Sequence, residues 1–350
     1  MSSAELPSFL PWQEHVASEW LARQERFAHA WLIHGLPGIG KRRFALAAAA
    51  SLLCESPRQG LACGACAACL WVKAGNHPDL RRIRPDSVAA QEGQAAEDEA
   101  ETATAKKAPS KEIRVEQLRA LHTWFNTATH RGGWRVAVIY PAQALNLISA
   151  NALLKVLEEP PEHTVFLLVA DAPDRLLPTL VSRCRRLPLS LPDSGSCLAW
   201  LEEQGIDDPA PWLAAAGGAP VLALQTALSG EDACPPWIQQ LASGLAGARA
   251  LDLGGLADQL EKQGAEQWIH AAQCFFVDVI LLASGAPARY YPQLSGVISR
   301  FASQAGAASL AETLRWLTQQ RAIAGHPLNA KLFIHSALER LAAACRPQAQ

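Results

Sequence analysis

The stretch that decides the fold of the first half of the chain is His29-Ala-Trp-Leu-Ile-His-Gly-Leu-Pro-Gly-Ile-Gly-Lys41. It opens with a short apolar run, which predicts a buried parallel strand, and continues with a glycine-rich turn. An alanine-rich helix is predicted to follow from Arg42 to about Leu53. A strand, a glycine-rich turn and a helix in this order form the context of a P-loop, in which backbone N–H groups and a lysine bind phosphate.

Two features depart from the pattern of a P-loop ATPase. The residue after Lys41 is Arg42, where a Ser or Thr hydroxyl would hold Mg²⁺, and arginine has no lone pair to offer a metal. The strand predicted over 134–140 ends in Tyr140-Pro141, so the carboxylate pair that would hold Mg²⁺ and activate water is missing. We expect the loop to keep its geometry without supporting ATP hydrolysis, and the sequence leaves open whether it binds a phosphate or a nucleotide. The residues that would contact such a ligand are Gly35, Gly38, Gly40 and Lys41.

Helices alternate with apolar strands through the first 190 residues, which predicts an α/β fold with a parallel sheet between layers of helices. The predicted strands are 29–34, 80–84, 134–140, 164–170 and 186–189, and the predicted helices are 12–29, 42–53, 115–125, 148–159 and 176–182. Residues 86–110 have no aromatic residue and are rich in alanine, glutamate and glutamine, so we expect a solvated, largely disordered insertion. Beyond Pro192 only helices are predicted.

Four of the nine cysteines lie close together, at Cys54, Cys63, Cys66 and Cys69. Their two x2 spacings match the bite of tetrahedral Zn²⁺, and four thiolates close its coordination sphere, so the expected metal is structural rather than catalytic. An iron–sulfur cluster is the main alternative metal centre, because it also uses x2-spaced cysteines, and unmetallated thiols are the other alternative. His77 is an alternative ligand, although a fifth donor is not needed.

The composition excludes several classes of protein. The chain has 350 residues, of which 49% are hydrophobic and 18% charged, and this suits two or three domains with buried cores. The 31 basic and 33 acidic residues leave a net charge of −2, which excludes a broadly basic nucleic-acid binder but not a local basic patch. There is no secretory signal and no apolar run long enough to span a bilayer, so we expect a soluble, cytosolic protein.

Further motifs complete a family pattern. Ala74-Gly-Asn-His-Pro-Asp79 follows the cysteines, and Asn151-Ala-Leu-Leu-Lys-Val-Leu-Glu-Glu-Pro-Pro161 is followed about twenty residues on by Ser182-Arg-Cys184. With Pro11-Trp12 and the altered P-loop, these motifs make the chain resemble the delta-prime subunits of the bacterial DNA polymerase III clamp loader, within the AAA+ class. The resemblance is dense over 11–190 and weaker in motifs beyond.

The resemblance implies three domains. The first is a P-loop domain of the AAA+ type over 1–190, which carries a zinc module at 54–80. The second is a small helical lid over 191–232. The third, over 233–350, is an all-helical collar that would pack against the collar domains of other subunits.

The resemblance also implies a role for Arg183 as an arginine finger. It would reach the ATP site of a neighbouring motor subunit, where an always-charged, forked donor stabilises the transferring phosphoryl group. Motor subunits of this kind usually carry a sensing arginine after a Gly-x-Pro-like break. Here Gly217-Gly-Ala-Pro220 is followed by Val221-Leu222, which is a third departure from an ATPase.

The implied function is that of a stator, a subunit without intrinsic activity in the polymerase holoenzyme that helps load a sliding clamp onto primed DNA. The implied partners are the gamma or tau motor subunits, the delta subunit, the clamp and primed DNA, in the bacterial cytoplasm and without a membrane. One alternative is a motor subunit of the same loader, and another is a zinc-dependent nucleic-acid-binding module on a relic P-loop. Direct contacts to DNA through Arg81, Arg82 and Arg84 compete with a solvated basic edge.

Overall fold

The computed structural model describes residues 5–22, 27–93, 108–125, 129–130, 133–247, 251–323 and 330–345. The chain divides into two compact units between Ser196 and Cys197. The first unit contains the sheet, and the second is helical over the residues described there. The finer division of the second half into a lid over 191–232 and a collar over 233–350 stays a prediction.

The first unit is built on a five-stranded parallel sheet. Its strands are β1 Ala30–His34, β2 Leu80–Ile83, β3 Arg135–Ile139, β4 Thr164–Ala170 and β5 Arg185–Pro188. Their order across the sheet is β2-β3-β4-β1-β5, and the register pairs Leu32 of β1 with Leu168 of β4. Because β1 is an interior strand, the glycine-rich turn after it opens at the carboxyl edge of the sheet, where ligands bind in open α/β folds.

Helices cover both faces of this sheet. They are α1 Glu14–Leu21, α2 Lys41–Leu53, α3 Ala67–Ala74, α4 Asp86–Gln91, α5 Val115–Phe125, α6 Leu147–Glu158 and α7 Pro178–Ser182. One face, which includes Leu32 and Phe166, packs on α5 and α6. Alternate strand residues point the other way. There α2 packs against β1, β3 and β4, and Trp20 contacts both Trp31 and Phe44.

The predicted α/β pattern is therefore confirmed, and most element ends shift by one or two residues. The exceptions are helix α1, which ends at Leu21 rather than at residue 29, and helix α3, which is not among the predicted helices. The main difference lies in the segment 86–110, which the composition predicts to be disordered. Residues 86–91 form helix α4, which Pro85 precedes and whose first turn Asp86 opens. These signals for the start of a helix are hard to recognise in the sequence, because alanine- and glutamate-rich residues follow them. Residues 94–107 of the predicted insertion lie outside the described residues.

The second unit is a helical assembly around α13. Its helices are α8 Ser194–Glu203, which begins just before the division, α9 Pro209–Ala215, α10 Pro220–Leu228, α11 Pro236–Leu245, α12 Leu253–Leu260, α13 Ala265–Ala283, α14 Ser295–Ala302, α15 Ala307–Ile323 and α16 Ala330–Ala344. Helices α11, α14 and α15 pack on α13, and α12 packs on α16. Asp278 of α13 is fully buried, and it accepts hydrogen bonds from the backbone N–H groups of Arg289, Tyr290 and Tyr291. Within the described ranges, the helices are too short or too polar to cross a lipid bilayer.

Candidate functional site

The glycine-rich turn after β1 has the backbone that a P-loop needs. Gly38 and Gly40 have φ angles of 76° and 89°, in the left-handed region that glycine adopts without strain, and Gly40 caps the start of α2. A Cβ on Gly35 would lie 2.4 Å from the carbonyl oxygen of Leu189. The predicted strand, turn and helix are thus present, and the chain that follows β5 requires a glycine at the start of the turn.

Side chains near the start of the chain hold the far end of this loop. Gln13 is buried, and its Nε2 donates to the carbonyl oxygens of Ile39 and Gly40, each at 3.1 Å. The indole N–H of Trp12 donates to the carbonyl oxygen of Ile39 at 3.3 Å. This accounts for the Pro11-Trp12 motif, since the short 3-10 turn Pro11–Gln13 presents both donors. The sequence draws attention to Trp12 because it belongs to a motif. It does not indicate that Gln13 makes the shorter hydrogen bonds to the loop.

Lys41 is buried and bonded within the protein. Its Nζ donates to the carbonyl oxygen of Leu36 and forms an ion pair with the Asp171 carboxylate at 2.6 Å. Burial lowers the pKa of the Lys41 ammonium below its ordinary value, and Asp171 opposes this shift. A phosphate at this loop would therefore compete with Asp171 for the lysine. Asp171 is absent from the predicted site, although its place directly after β4 is a usable signal, because β4 and β1 are neighbours.

Arg42 and Tyr140, the two positions that depart from the ATPase pattern, contact the same carboxylate. Arg42 Nη1 lies 3.0 Å from Oε1 of Glu92, and the Tyr140 hydroxyl donates to Oε2 at 3.1 Å. Arg84 Nε lies 3.0 Å from the same Oε2. Burial raises the pKa of Tyr140, which keeps the phenol a neutral donor. Charged and polar groups of the chain thus join the end of β2, the end of β3 and the start of α2 beside the P-loop.

We expect Glu92→Ala to destabilise the first unit by about 2–3 kcal/mol, because the largely buried Arg84 would lose its carboxylate partner and the more exposed Arg42 would lose the same partner. Glu92 is 16% exposed and Arg84 11%, so solvent replaces little of the lost interaction. Urea unfolding monitored by tryptophan fluorescence measures the change. Glu116→Ala, at an exposed acid on α5, is the matched control and should change the free energy of unfolding by less than about 0.5 kcal/mol. Equal effects of the two variants would show that the Glu92 contacts contribute nothing to stability.

The four cysteines predicted to bind a metal come together in space. The Sγ atoms of Cys54, Cys63, Cys66 and Cys69 all lie within 4.8 Å of one another. The Cys54–Cys66 pair is separated by 3.8 Å and the Cys63–Cys69 pair by 4.0 Å. Four sulfurs at the usual Zn–S distance in a tetrahedron lie roughly 3.8 Å apart, so this arrangement fits a zinc ion.

The local backbone explains why these thiols converge. Cys54 ends α2 and Cys66 caps the start of α3, so the cysteine cluster joins two helix termini. Backbone N–H groups point at the sulfurs, with Cys63 N–H donating to Cys54 Sγ at 3.3 Å and Cys66 N–H to Cys63 Sγ at 3.4 Å. The N–H groups of Ala65 and Cys66 lower the pKa of the Cys63 thiol to about 6. Such donors favour the thiolate, which is the form that binds metal ions.

His77 lies outside this ligand set. Its Nδ1 accepts a hydrogen bond from the backbone N–H of Asp79 at 3.1 Å, and its ring packs edge-on against Trp71. Gly75, at φ 78°, ends α3 just before it. The Ala74–Asp79 motif therefore forms the turn that connects the cysteine cluster to β2, and within the described residues the four cysteines make up the group of candidate ligands.

The three arginines around β2 do not form a uniformly solvated basic edge. Arg84 is buried and paired with Glu92, as described above. The Arg81 guanidinium lies 5.1 Å from the centre of the Trp124 ring and donates to the carbonyl oxygens of Pro78 and Leu80. The expectation of a solvated edge is therefore wrong for Arg84, because an acid from the segment classed as an insertion neutralises it.

Helix α6 carries the Asn151–Pro161 motif with one buried and one exposed side. Ala150, Leu153, Val156 and Leu157 are buried, and Asn151, Lys155 and Glu158 are exposed. The cap residue Asn146 accepts a hydrogen bond from the N–H of Ser149 at 2.9 Å, and this defines where the helix starts. The apolar residues of the motif thus pack in the core, while its polar residues lie at the surface.

Each residue of Ser182-Arg-Cys184 has a different environment. Ser182 Oγ and Arg183 Nη1 both donate to the carbonyl oxygen of Thr179 at 3.0 Å, which satisfies the end of α7. Cys184 is buried in the core that α5 and α6 share with the sheet. Arg183 Nη2 forms an ion pair with Glu158 at 2.5 Å, and its side chain stays 35% exposed. The motif therefore closes a helix, anchors the backbone through the cysteine and presents the arginine at the surface.

The glycine-rich turn, the cysteine cluster and the Ser182-Arg-Cys184 motif all lie within the part of the chain that resembles known proteins. The family model described as DNA polymerase III, delta subunit, matches residues 14–193. The DNA polymerase III subunit delta' of Pseudomonas aeruginosa is 41% identical over 217 residues, which cover 61% of this chain and 60% of that protein. The DNA polymerase III subunit delta' of Escherichia coli is 34% identical over 176 residues, which cover 50% of this chain and 46% of that protein. The subunit tau of Escherichia coli is 34% identical over 168 residues, which cover 48% of this chain and 22% of that protein. The chain thus spans between about half and three fifths of the delta' relatives' length.

Proposed function

Because this chain belongs to the DNA polymerase III, delta subunit family, we propose that it is a clamp-loader subunit that does not hydrolyse ATP itself. The observation that carries the proposal is the contact of Arg42 and Tyr140 with Glu92. An ATPase of this class needs a hydroxyl and an acid around Mg²⁺. Here a guanidinium without a lone pair takes the place of the hydroxyl, and the nearby Glu92 carboxylate is already engaged by Arg42 and Arg84.

Lys41 supports the same proposal. In an active P-loop the lysine neutralises the β and γ phosphates. In this chain its ammonium is already neutralised by Asp171 and buried to 3% exposure. We infer that the loop acts as a structural turn that holds β1, α2 and the end of β4 together. The turn would then need Gly35, Gly38 and Gly40 for its backbone conformation rather than for binding a nucleotide.

We further propose that Arg183 acts in trans as an arginine finger. It combines an exposed guanidinium with a fixed backbone, since the neighbouring Cys184 is buried in the core. A guanidinium presented in this way stabilises charge on the phosphoryl group that is transferred in a neighbouring ATP site. The subunit would then take part in ATP hydrolysis without binding ATP productively.

For the cysteine cluster we propose a structural zinc ion held by Cys54, Cys63, Cys66 and Cys69. The four thiolates close the coordination sphere, so no position is left for water or substrate. A zinc ion supplies a cross-link there between the end of α2 and the start of α3. Its contribution is to the folding of residues 54–80 rather than to chemistry.

The partners we propose are the motor subunits of the gamma or tau type, the delta subunit and, through the complex, the sliding clamp and primed DNA. The names of the relatives, subunit delta' and subunit tau, support this set. Assembly with motor subunits is the partner relation that Arg183 requires, because an arginine finger needs an ATP site on another chain. The helical second unit, by the same family argument, would assemble with the corresponding parts of those subunits.

Reconstitution with the motor and delta subunits tests the proposed function. We expect the chain to co-purify with them, and DNA-stimulated ATP turnover of the complex to fall when the chain is left out. The chain alone should show no steady ATP turnover above that of a mock purification. Steady turnover by the chain alone, lost in Lys41→Ala, would instead identify a motor subunit.

A binding measurement separates the proposal from a nucleic-acid-binding module. Fluorescence anisotropy of labelled primed DNA should show weak binding by the isolated chain at moderate salt. Tight binding that falls steeply with salt concentration would favour the zinc-dependent nucleic-acid-binding alternative, because such a slope counts the phosphates contacted.

A further inference from the structure

The ion pair between Glu158 and Arg183 joins two residues that are 25 positions apart and belong to different sequence motifs. Oε1 of Glu158 lies 2.5 Å from Nη2 of Arg183. Glu158 is the last residue of α6, and Arg183 is the residue that caps the end of α7. One motif therefore places a carboxylate directly against the guanidinium that the other motif presents.

The core fixes the distance between these two helix ends. Leu153 and Leu157 of α6 belong to the same apolar cluster as Leu180 of α7 and Cys184 just after it. An exposed ion pair usually contributes little, because two flexible side chains lose entropy when they meet. Here both backbones are held by buried neighbours, so the two side chains meet across a fixed distance. The pair is therefore suited to holding a side chain in one orientation.

The contacts of Arg183 also leave room for a ligand. Nη1 donates to the carbonyl oxygen of Thr179, and Nη2 lies against Glu158. Among the residues that the structure describes, these contacts use two of the five N–H groups of the guanidinium, which leaves three for another acceptor. Two anchors on different helices fix both the position and the plane of the group. A planar fork must be oriented in this way to meet phosphate oxygens.

We propose that Glu158 is a positioning residue that holds Arg183 in the orientation in which it contacts the ATP phosphates of a neighbouring subunit. This inference rests on the proposed role of Arg183 as an arginine finger. Glu158 acts through Arg183 and does not itself touch the nucleotide. Its carboxylate offsets part of the positive charge, but it removes the need to order a long side chain during the reaction, and fixed geometry is a large contribution to catalysis.

A double-mutant cycle in the reconstituted loader tests the inference. The variants are Glu158→Gln, Arg183→Ala and the combination, with the phases of single-turnover ATP hydrolysis and KM for ATP measured for each complex. We expect Glu158→Gln to lower the rate of ATP hydrolysis at the one site that receives Arg183 about threefold to tenfold, and to have no further effect when Arg183 is already alanine. KM for ATP should change less than about twofold, because the lost interaction acts in the transition state. Glu159→Gln, at the adjacent exposed acid, is the matched control and should behave as the unchanged chain.

Each result of this cycle has one interpretation, given that gel filtration shows full assembly. A rise in ATP turnover with Glu158→Gln would mean that the carboxylate restrains the finger in an inactive position, and would overturn the inference. A loss of the same size in the Arg183→Ala background would also overturn it, since Glu158 would then act independently. If Arg183→Ala lowers turnover and Glu158→Gln does not, the inference alone fails. If Arg183→Ala has no effect, the finger proposal fails with it.

Discussion

Replacement of Arg183 by alanine is expected to lower ATP hydrolysis at the neighbouring site of the assembled loader by about 10³-fold or more. The reason is electrostatic, because charge develops on the transferring phosphoryl group and the guanidinium is the group proposed to stabilise it. One chain presents one such arginine, so we expect one site of the complex to lose activity while the others continue. The variant should fold normally, since the Arg183 side chain is 35% exposed and its neighbour Cys184 remains buried.

Single-turnover hydrolysis of bound ATP by the assembled complex measures this loss as a missing phase. Arg175→Ala removes an exposed arginine from the segment just before α7 and serves as the matched control. Arg183→Lys keeps the charge but loses the planar fork, so it should restore only a small part of the rate. A complex that contains Arg183→Ala and retains every phase of ATP hydrolysis would remove the proposed role.

Replacement of Cys69 by alanine is expected to release the metal and to destabilise the first unit by about 4 kcal/mol or more. Cys69 is 1% exposed and lies in the first turn of α3, so it supplies both a ligand and a fixed backbone position. With three thiols left, the coordination sphere opens and the link between α2 and α3 weakens. Because the ligands must be deprotonated, metal retention should also weaken as the pH is lowered.

Metal analysis of the purified chain by mass spectrometry, followed by urea unfolding, tests this expectation. The unchanged chain should carry one zinc ion, and Cys69→Ala should carry little. Cys345→Ala, at a buried cysteine after α16, is the control and should keep its zinc ion at a modest cost in packing. Full zinc content in Cys69→Ala would contradict the proposed ligand set. Visible absorption with stoichiometric iron would instead support the iron–sulfur alternative.

The sheet could be predicted from the sequence because its strands are continuous apolar runs. Strands that are buried on both faces, such as 164–170, contain no alternation that could be mistaken for a surface strand. The glycine-rich turn and the four cysteines could be predicted equally well, since each is a local pattern whose residue spacing indicates the kind of site. Local patterns, however, do not contain the partner of a residue when that partner lies on another strand or helix.

The partners of Lys41 and Arg42 illustrate this limit. Asp171 lies 130 positions along the chain from Lys41, and the sheet order alone brings the two together. Glu92 lies in a segment whose average composition predicts disorder, although three side chains contact it. Composition is an average over a stretch of sequence, whereas the position of a single acid depends on the charged side chains that the fold brings near it. A search for acids at the carboxyl ends of adjacent predicted strands would have found Asp171, but not Glu92.

The pairing of Lys41 with Asp171 would have a thermodynamic consequence if the chain works beside ATPases, as proposed. A protein whose folded state binds ATP gains stability as the ATP concentration rises. The gain is proportional to the logarithm of one plus the ratio of the ATP concentration to its Kd. A chain that neutralises its own phosphate loop would depend less on ATP, because a nucleotide would have to displace the internal ion pair. Its folding free energy would then vary little while neighbouring sites fill, react and empty. Such a subunit would provide a fixed reference surface against which the nucleotide-dependent movements of its neighbours could be transmitted to a substrate.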